Sequence, residues 1–79
     1  MYRIYFDANA RYEDGRFDLA ITGSLKDIGL LAEKLQDGML VQLYDYDGLE
    51  LQATLEYDRH AKRWTAHPIW ETLKQPPSS

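Results

Sequence analysis

The sequence predicts a single small α+β domain with the element order ββαβββ. Three observations predict it: several segments alternate apolar and polar residues, one segment between them carries apolar residues at helical spacing, and 79 residues give room for one domain. We expect one amphipathic helix packed on a curved antiparallel sheet or a small open barrel. The pattern is compatible with either architecture.

Two strands are expected at the start of the chain. Residues 2–7 and 16–22 both alternate with period two, as half-buried strands do. The link between them is short and ends in Asp14 and Gly15, a pair typical of turns. We therefore expect these two strands to form an antiparallel hairpin.

A helix is expected from about residue 25 to residue 36. Ser24 and Asp27 resemble a capping box, so Ser24 is expected to cap the first turn, and Gly38 is expected to end the helix. The apolar residues fall within an arc of roughly 120° that should face the sheet. The residues of this arc are Leu25, Ile28, Leu31, Ala32 and Leu35.

The last three strands should form a meander in which each pairs with the next. Pro68 should end the last strand or mark it as a sheet edge, and residues 69–73 are ambiguous, one turn of helix being one interpretation. We expect the domain to occupy residues 1–74 and residues 75–79 to be a disordered tail. The three predicted strands are residues 39–44, 49–57 and 63–67.

Composition excludes several classes of function. The chain has no cysteine, which removes disulfides, cysteine-based zinc sites, iron–sulfur clusters and thiol nucleophiles. Thirteen acidic against nine basic residues give a net charge of −4, which argues against general nucleic-acid binding. No apolar stretch is long enough to span a membrane and no signal peptide is visible, so we expect a cytoplasmic protein without membrane contact.

Familiar catalytic and metal-binding patterns are missing from the sequence. Neither histidine belongs to a motif with Ser24, the one serine outside the C-terminal tail. The acidic stretch from Asp45 to Glu50 lacks the spacing of a calcium loop, so we interpret it as a hairpin turn. We therefore expect no catalytic residue, cofactor or metal, and a protein that is not an enzyme.

Residues 59–70 are the strongest candidate for a contact surface. This segment combines basic residues with both tryptophans and both histidines and contains no acid. Three interpretations stay open: a solvated turn, a nucleic-acid contact through phosphates and stacked bases, or an acidic protein partner. The candidate residues are Arg59, His60, Lys62, Arg63, His67 and Trp70.

Leu30 is a further candidate, because it lies almost opposite the apolar arc of the helix. It could join an interaction patch with one or more tyrosines, for which the candidates are Tyr5, Tyr12, Tyr44 and Tyr46.

The leading hypothesis is a non-enzymatic protein-interaction or regulatory module that contacts a protein partner through the basic and aromatic residues 59–70, with self-association as a further expectation. The second is binding of single-stranded RNA through residues 59–70. The third is a small enzyme or metal-site protein.

Overall fold

One helix packs on a curved, mixed, five-stranded sheet that forms a half-barrel, in a computed structural model that describes residues 1–75. The predicted α+β class and the ββαβββ order are confirmed. The strand order across the sheet is β1-β3-β4-β5-β2, so the predicted meander of β3, β4 and β5 is also confirmed. The elements are β1 (Arg3–Tyr5), β2 (Phe17–Asp18), α1 (Thr22–Leu31), a 3-10 turn (Ala32–Lys34), β3 (Leu40–Tyr44), β4 (Glu50–Asp58) and β5 (Arg63–Lys74).

The first two strands do not form a hairpin, and that prediction is wrong. β1 pairs in parallel with β3, while β2 pairs with β5 at the opposite edge of the sheet. Gly15 lies in a turn as predicted, but this turn joins β2 to residues 10–12 and not to β1. The backbone N–H of Tyr12 donates to Arg16 and that of Asp18 to Ala10, so the linker makes its own small hairpin.

The sheet curls far enough to bring its two edges into side-chain contact. Phe6 follows β1 and Phe17 lies in β2, yet their ring centroids are 4.9 Å apart. Apolar side chains on the concave face fill the space enclosed by this curl. They are Ile4, Phe6, Phe17, Leu19, Leu35, Val41, Leu43, Leu51, Ala53, Leu55 and Ala66.

Helix α1 begins earlier than predicted, and it packs against the edge strand β1. Ile21 is the N-cap residue, so the expected cap at Ser24 is wrong: Ser24 lies inside the helix and is buried. The helix also ends before Gly38, which has a φ of 80° in the turn that leads into β3.

Only part of the predicted apolar arc faces the core. Ile28, Leu31 and Leu35 pack against it, whereas Leu25 is 52% exposed and Ala32 is exposed. α1 packs against the edge strand β1, so only part of its apolar arc reaches the core.

β5 continues well past Pro68, so the prediction that the strand ends there is wrong. The carbonyl of Trp64 accepts a hydrogen bond from Leu19, which means that alternate residues of β5 direct their backbone groups toward β2. β2 pairs with β5 only as far as Ala66. Pro68 is the next residue whose backbone faces this side of β5, and no strand is paired there, so its missing N–H costs no strand hydrogen bond. The alternative interpretation, a proline at a sheet edge, is confirmed.

The ambiguous residues 69–73 are extended and not helical. The register with β4 is irregular here, and Thr72 stabilises the irregularity: its hydroxyl donates to the Ile69 carbonyl and accepts from the Gln52 N–H. Of the expected tail, Gln75 has no regular structure, and residues 76–79 lie outside the described residues. Within residues 1–75, no helix has the length and apolar character needed to cross a membrane.

Candidate functional site

The candidate residues of the segment 59–70 do not all form one surface, although Arg59 and His67 line the same open cleft of about 550 Å³. Arg59, His60 and Lys62 lie exposed in the tight turn between β4 and β5, where Lys62 adopts a left-handed conformation with a φ of 59°. The Asp58 carboxylate organises this turn by accepting the backbone N–H groups of residues 60 and 61. Arg63 turns away from them and forms an ion pair with Asp18 at 2.9 Å.

The other two residues of the segment lie on opposite faces of β5. His67 is on the convex face, where its Nε2 is 3.4 Å from a carboxylate oxygen of Glu56. Trp70 is half exposed and its ring stands edge-on to Phe17, with centroids 5.8 Å apart, so it belongs to the concave side. A partner that touches Arg63 or His67 therefore approaches from a different side than one that touches Trp70.

Arginine and acidic side chains pair with one another on the convex face beside His67. The Arg16 guanidinium lies 2.8 Å from Asp14 and 3.2 Å from both Glu56 and Asp58. The pKa of Asp58 lies below its ordinary value of 3.8, first because the backbone N–H of Ala61 donates to it and also because Arg16 does. The positive charge of Arg16 is therefore largely compensated within the molecule.

Three tyrosines at the opposite edge of the sheet pack on one another, two of them half-buried and one exposed. We call Tyr5, Tyr44 and Tyr46 the tyrosine cluster. Tyr5 and Tyr46 are stacked with centroids 4.7 Å apart, and Tyr44 stands edge-on to both, at 5.9 Å from Tyr5 and 6.3 Å from Tyr46. Tyr46 is 80% exposed, which makes its ring available to a partner.

Strand pairing and one tight turn hold the cluster together. Tyr5 lies opposite Tyr44 in the parallel register of β1 and β3, and both point away from the core side chains that precede them. Tyr46 follows in the turn to β4, where one oxygen of Asp45 accepts the N–H groups of Asp47 and Leu49, both at 2.9 Å. The turn therefore fixes the Tyr46 backbone beside the Tyr5 ring.

Helix α1 covers the open edge of β1 beside the cluster with side-chain hydrogen bonds. The Asp27 carboxylate accepts the Tyr5 N–H at 2.9 Å and the Tyr44 hydroxyl at 2.7 Å, and the Ser24 hydroxyl donates to the Tyr5 carbonyl. Ser24 and Asp27, which resemble a capping box, thus hydrogen-bond the backbone of an edge strand and not the end of a helix. Helical spacing puts exposed Leu30 on the same side of α1 as Asp27, and no contact of Leu30 with the three tyrosines is found among residues 1–75.

The hydrogen bond to Asp27 should be visible in the alkaline titration of the tyrosines. It raises the pKa of Tyr44 to about 12, with desolvation as the next cause. Because the folded-state pKa exceeds the ordinary value of 10.0, this bond stabilises the fold below pH 10.0, and the contribution is lost as the pH rises through about 12. NMR of ring-labelled tyrosine should show a titration near pH 12 that Tyr44→Phe removes and Asp27→Asn moves toward lower pH.

A cleft of about 470 Å³ opens next to the cluster, between the segment that follows β1 and the turn after β3. Tyr5 and Tyr46 line it together with three carboxylates, those of Asp7, Asp45 and Asp47. Within residues 1–75 none of these carboxylates belongs to an ion pair, so the cleft combines exposed aromatic surface with uncompensated negative charge.

The sequence contained part of the signal for this site. Alternation places Tyr5 and Tyr44 on the polar face, and the turn at Asp45 to Gly48 was predicted. Their proximity depends on the parallel pairing of β1 with β3, which joins residues far apart in the chain and which local pattern does not specify.

Comparisons with protein-family models, with curated proteins and with solved structures found no match for this chain. Across residues 1–75, no group of three or more histidine and acidic side chains is placed to hold a metal ion.

Proposed function

We propose that this chain is a small non-enzymatic protein-interaction module that contacts its partner through the tyrosine cluster. The observation that carries the proposal is the exposure of Tyr46, whose ring is 80% accessible yet held in place by stacking on Tyr5. A tyrosine that is rigid before binding loses little conformational entropy in a complex, which is why such residues often dominate binding energy.

The distribution of charge supports a protein partner over a nucleic acid. Two of the arginines, Arg16 and Arg63, already pair with acids of the same chain. The tyrosine cluster itself is bordered by carboxylates, which repel phosphate groups.

Affinity capture from the native lysate tests the proposal. The full chain serves as bait, with and without nuclease, beside Tyr46→Ala and a second variant in which Arg59 and Lys62 are both alanine. We expect specific proteins that survive nuclease, are lost with Tyr46→Ala and are kept by the second variant. Capture that depends on Arg59 and Lys62 would instead favour the turn between β4 and β5, and capture abolished by nuclease would favour RNA.

A further inference from the structure

We infer that the cleft beside the tyrosine cluster binds a lysine or arginine side chain from a basic segment of the protein partner. This inference rests on the proposed function and adds the chemistry of the occupant. Three features of the described residues support it: an open aromatic face, unpaired carboxylates around it, and the same kind of contact made elsewhere within the chain.

Tyr46 provides the aromatic face. One side of its ring stacks on Tyr5, and the exposure of the side chain leaves the other side to solvent. A guanidinium or ammonium group is attracted to the face of a tyrosine when it lies within about 6 Å of the ring centroid. Stacking on Tyr5 holds the Tyr46 ring beside the cleft, which both tyrosines line.

The three carboxylates provide the charge that selects a cation. Asp7 and Asp45 each use one oxygen for backbone N–H groups of their own turns, which fixes the carboxylate and leaves the second oxygen available. The pKa of Tyr5, which lines the cleft with them, is raised above its ordinary value first by partial desolvation, then by Asp7 and Tyr46, with smaller contributions from Asp45 and Asp47. The same carboxylates would repel an anionic ligand.

The chain already makes two contacts of this kind with its own arginines. The Arg3 guanidinium lies 4.6 Å from the ring centroid of Tyr44, and Arg16 lies 4.7 Å from that of Tyr12. In both cases a carboxylate also holds the arginine, Glu50 for Arg3 and Asp14 for Arg16. Tyr46 has the ring and the neighbouring acids but no such cation among residues 1–75, and a partner could supply it.

The test uses a synthetic peptide of alternating arginine and glycine and a matched peptide in which citrulline, neutral and of similar shape, replaces arginine. Binding to the full chain is followed by NMR titration at low and at physiological salt. We expect the arginine peptide to shift Tyr46 resonances and to bind about fivefold or more tightly than the citrulline peptide, with the difference shrinking as salt rises.

Matched variants distinguish binding of the peptide in the cleft from its general attraction to an acidic protein. Asp47→Asn should weaken binding about two- to fivefold. Glu33→Gln makes the same charge change in the 3-10 turn after α1, at a residue that does not line the cleft, and should leave binding unchanged. Tyr46→Ala should weaken binding about fivefold, and Tyr46→Phe, which keeps the aromatic face, should retain most of it.

The outcomes are distinguishable from those of the proposed function. If both peptides bind equally, or if Glu33→Gln weakens binding as much as Asp47→Asn, the cation site is overturned. If a lysate protein is captured through Tyr46 while the arginine peptide fails to bind, the proposed function stands and the cation site falls. If the arginine peptide binds through Tyr46 but no protein is captured, the cation site stands without the proposed function.

Discussion

Phe17→Ala is expected to leave most of the chain unfolded under conditions in which the wild-type protein is folded. Phe17 is fully buried and its ring contacts Phe6 from the opposite sheet edge and Trp70 from the end of β5. It is also one of only two residues in β2, so it anchors that strand. Truncating a buried phenylalanine costs about 3–5 kcal/mol, and a core of this size supplies only about that much net stability.

Urea unfolding followed by circular dichroism measures this effect. Phe17→Leu keeps most of the buried volume and is expected to fold with a loss of about 1.5 kcal/mol or less. Tyr46→Ala removes an aromatic ring at the surface and should cost no more than about 1 kcal/mol. If Phe17→Ala were as stable as Tyr46→Ala, the contact between the two sheet edges would not be a main source of stability.

The β1 edge of the sheet and the part of β5 that extends beyond β2 both carry features that disfavour the addition of another strand. Ser24 and Asp27 occupy the backbone groups of Tyr5 at the β1 edge, while Pro68 has no N–H to offer on the part of β5 that extends beyond its pairing with β2. Proline and bulges at sheet edges disfavour intermolecular strand pairing. A partner is therefore expected to bind through side chains, as the proposed function requires, and a second copy of the chain would have to do the same.

The local sequence pattern predicted the helix and the strands of this fold better than it predicted which strands pair with one another. Alternation identified the buried residues of β3 and β4 correctly, including Val41, Leu43 and Leu51, because one face of each strand must be apolar. The pairing of β1 with β3 could not be predicted in the same way. It depends on long-range contacts, such as Phe6 with Phe17, that compete with the apparent hairpin signal.

The tyrosine cluster could not be predicted from the sequence for the same reason, since it depends on contacts between residues far apart in the chain. A serine and an acid three residues apart suit a helix N-terminus, and the same two side chains also suit an exposed strand edge. Ser24 and Asp27 serve the strand edge, where Asp27 holds Tyr5 and Tyr44 together. This role of Ser24 and Asp27 can be recognised only once the packing of α1 against β1 is known.

Gly23→Ala is expected to destabilise the protein by about 1–3 kcal/mol and to disrupt the tyrosine cluster. A Cβ atom at Gly23 would lie 2.5 Å from Cδ2 of Tyr5 and 3.0 Å from Cγ, close to the base of that side chain. Tyr5 has little freedom to move away, because its ring packs on Tyr44 and Tyr46 and both of its edge-facing backbone groups are bonded to α1. The helix must therefore shift, or the stack must open.

Gly29→Ala is the matched control in the same helix. No atom lies within 4 Å of the position where its Cβ would be, so the exchange should stabilise the helix by about 0.5–1 kcal/mol through the higher helix propensity of alanine. Urea unfolding should thus shift in opposite directions for the two variants, and the arginine peptide should bind Gly29→Ala normally and Gly23→Ala weakly. Equal stabilisation by both would mean that α1 does not pack closely on Tyr5, and the order of the tyrosine cluster would then have to come from the sheet alone.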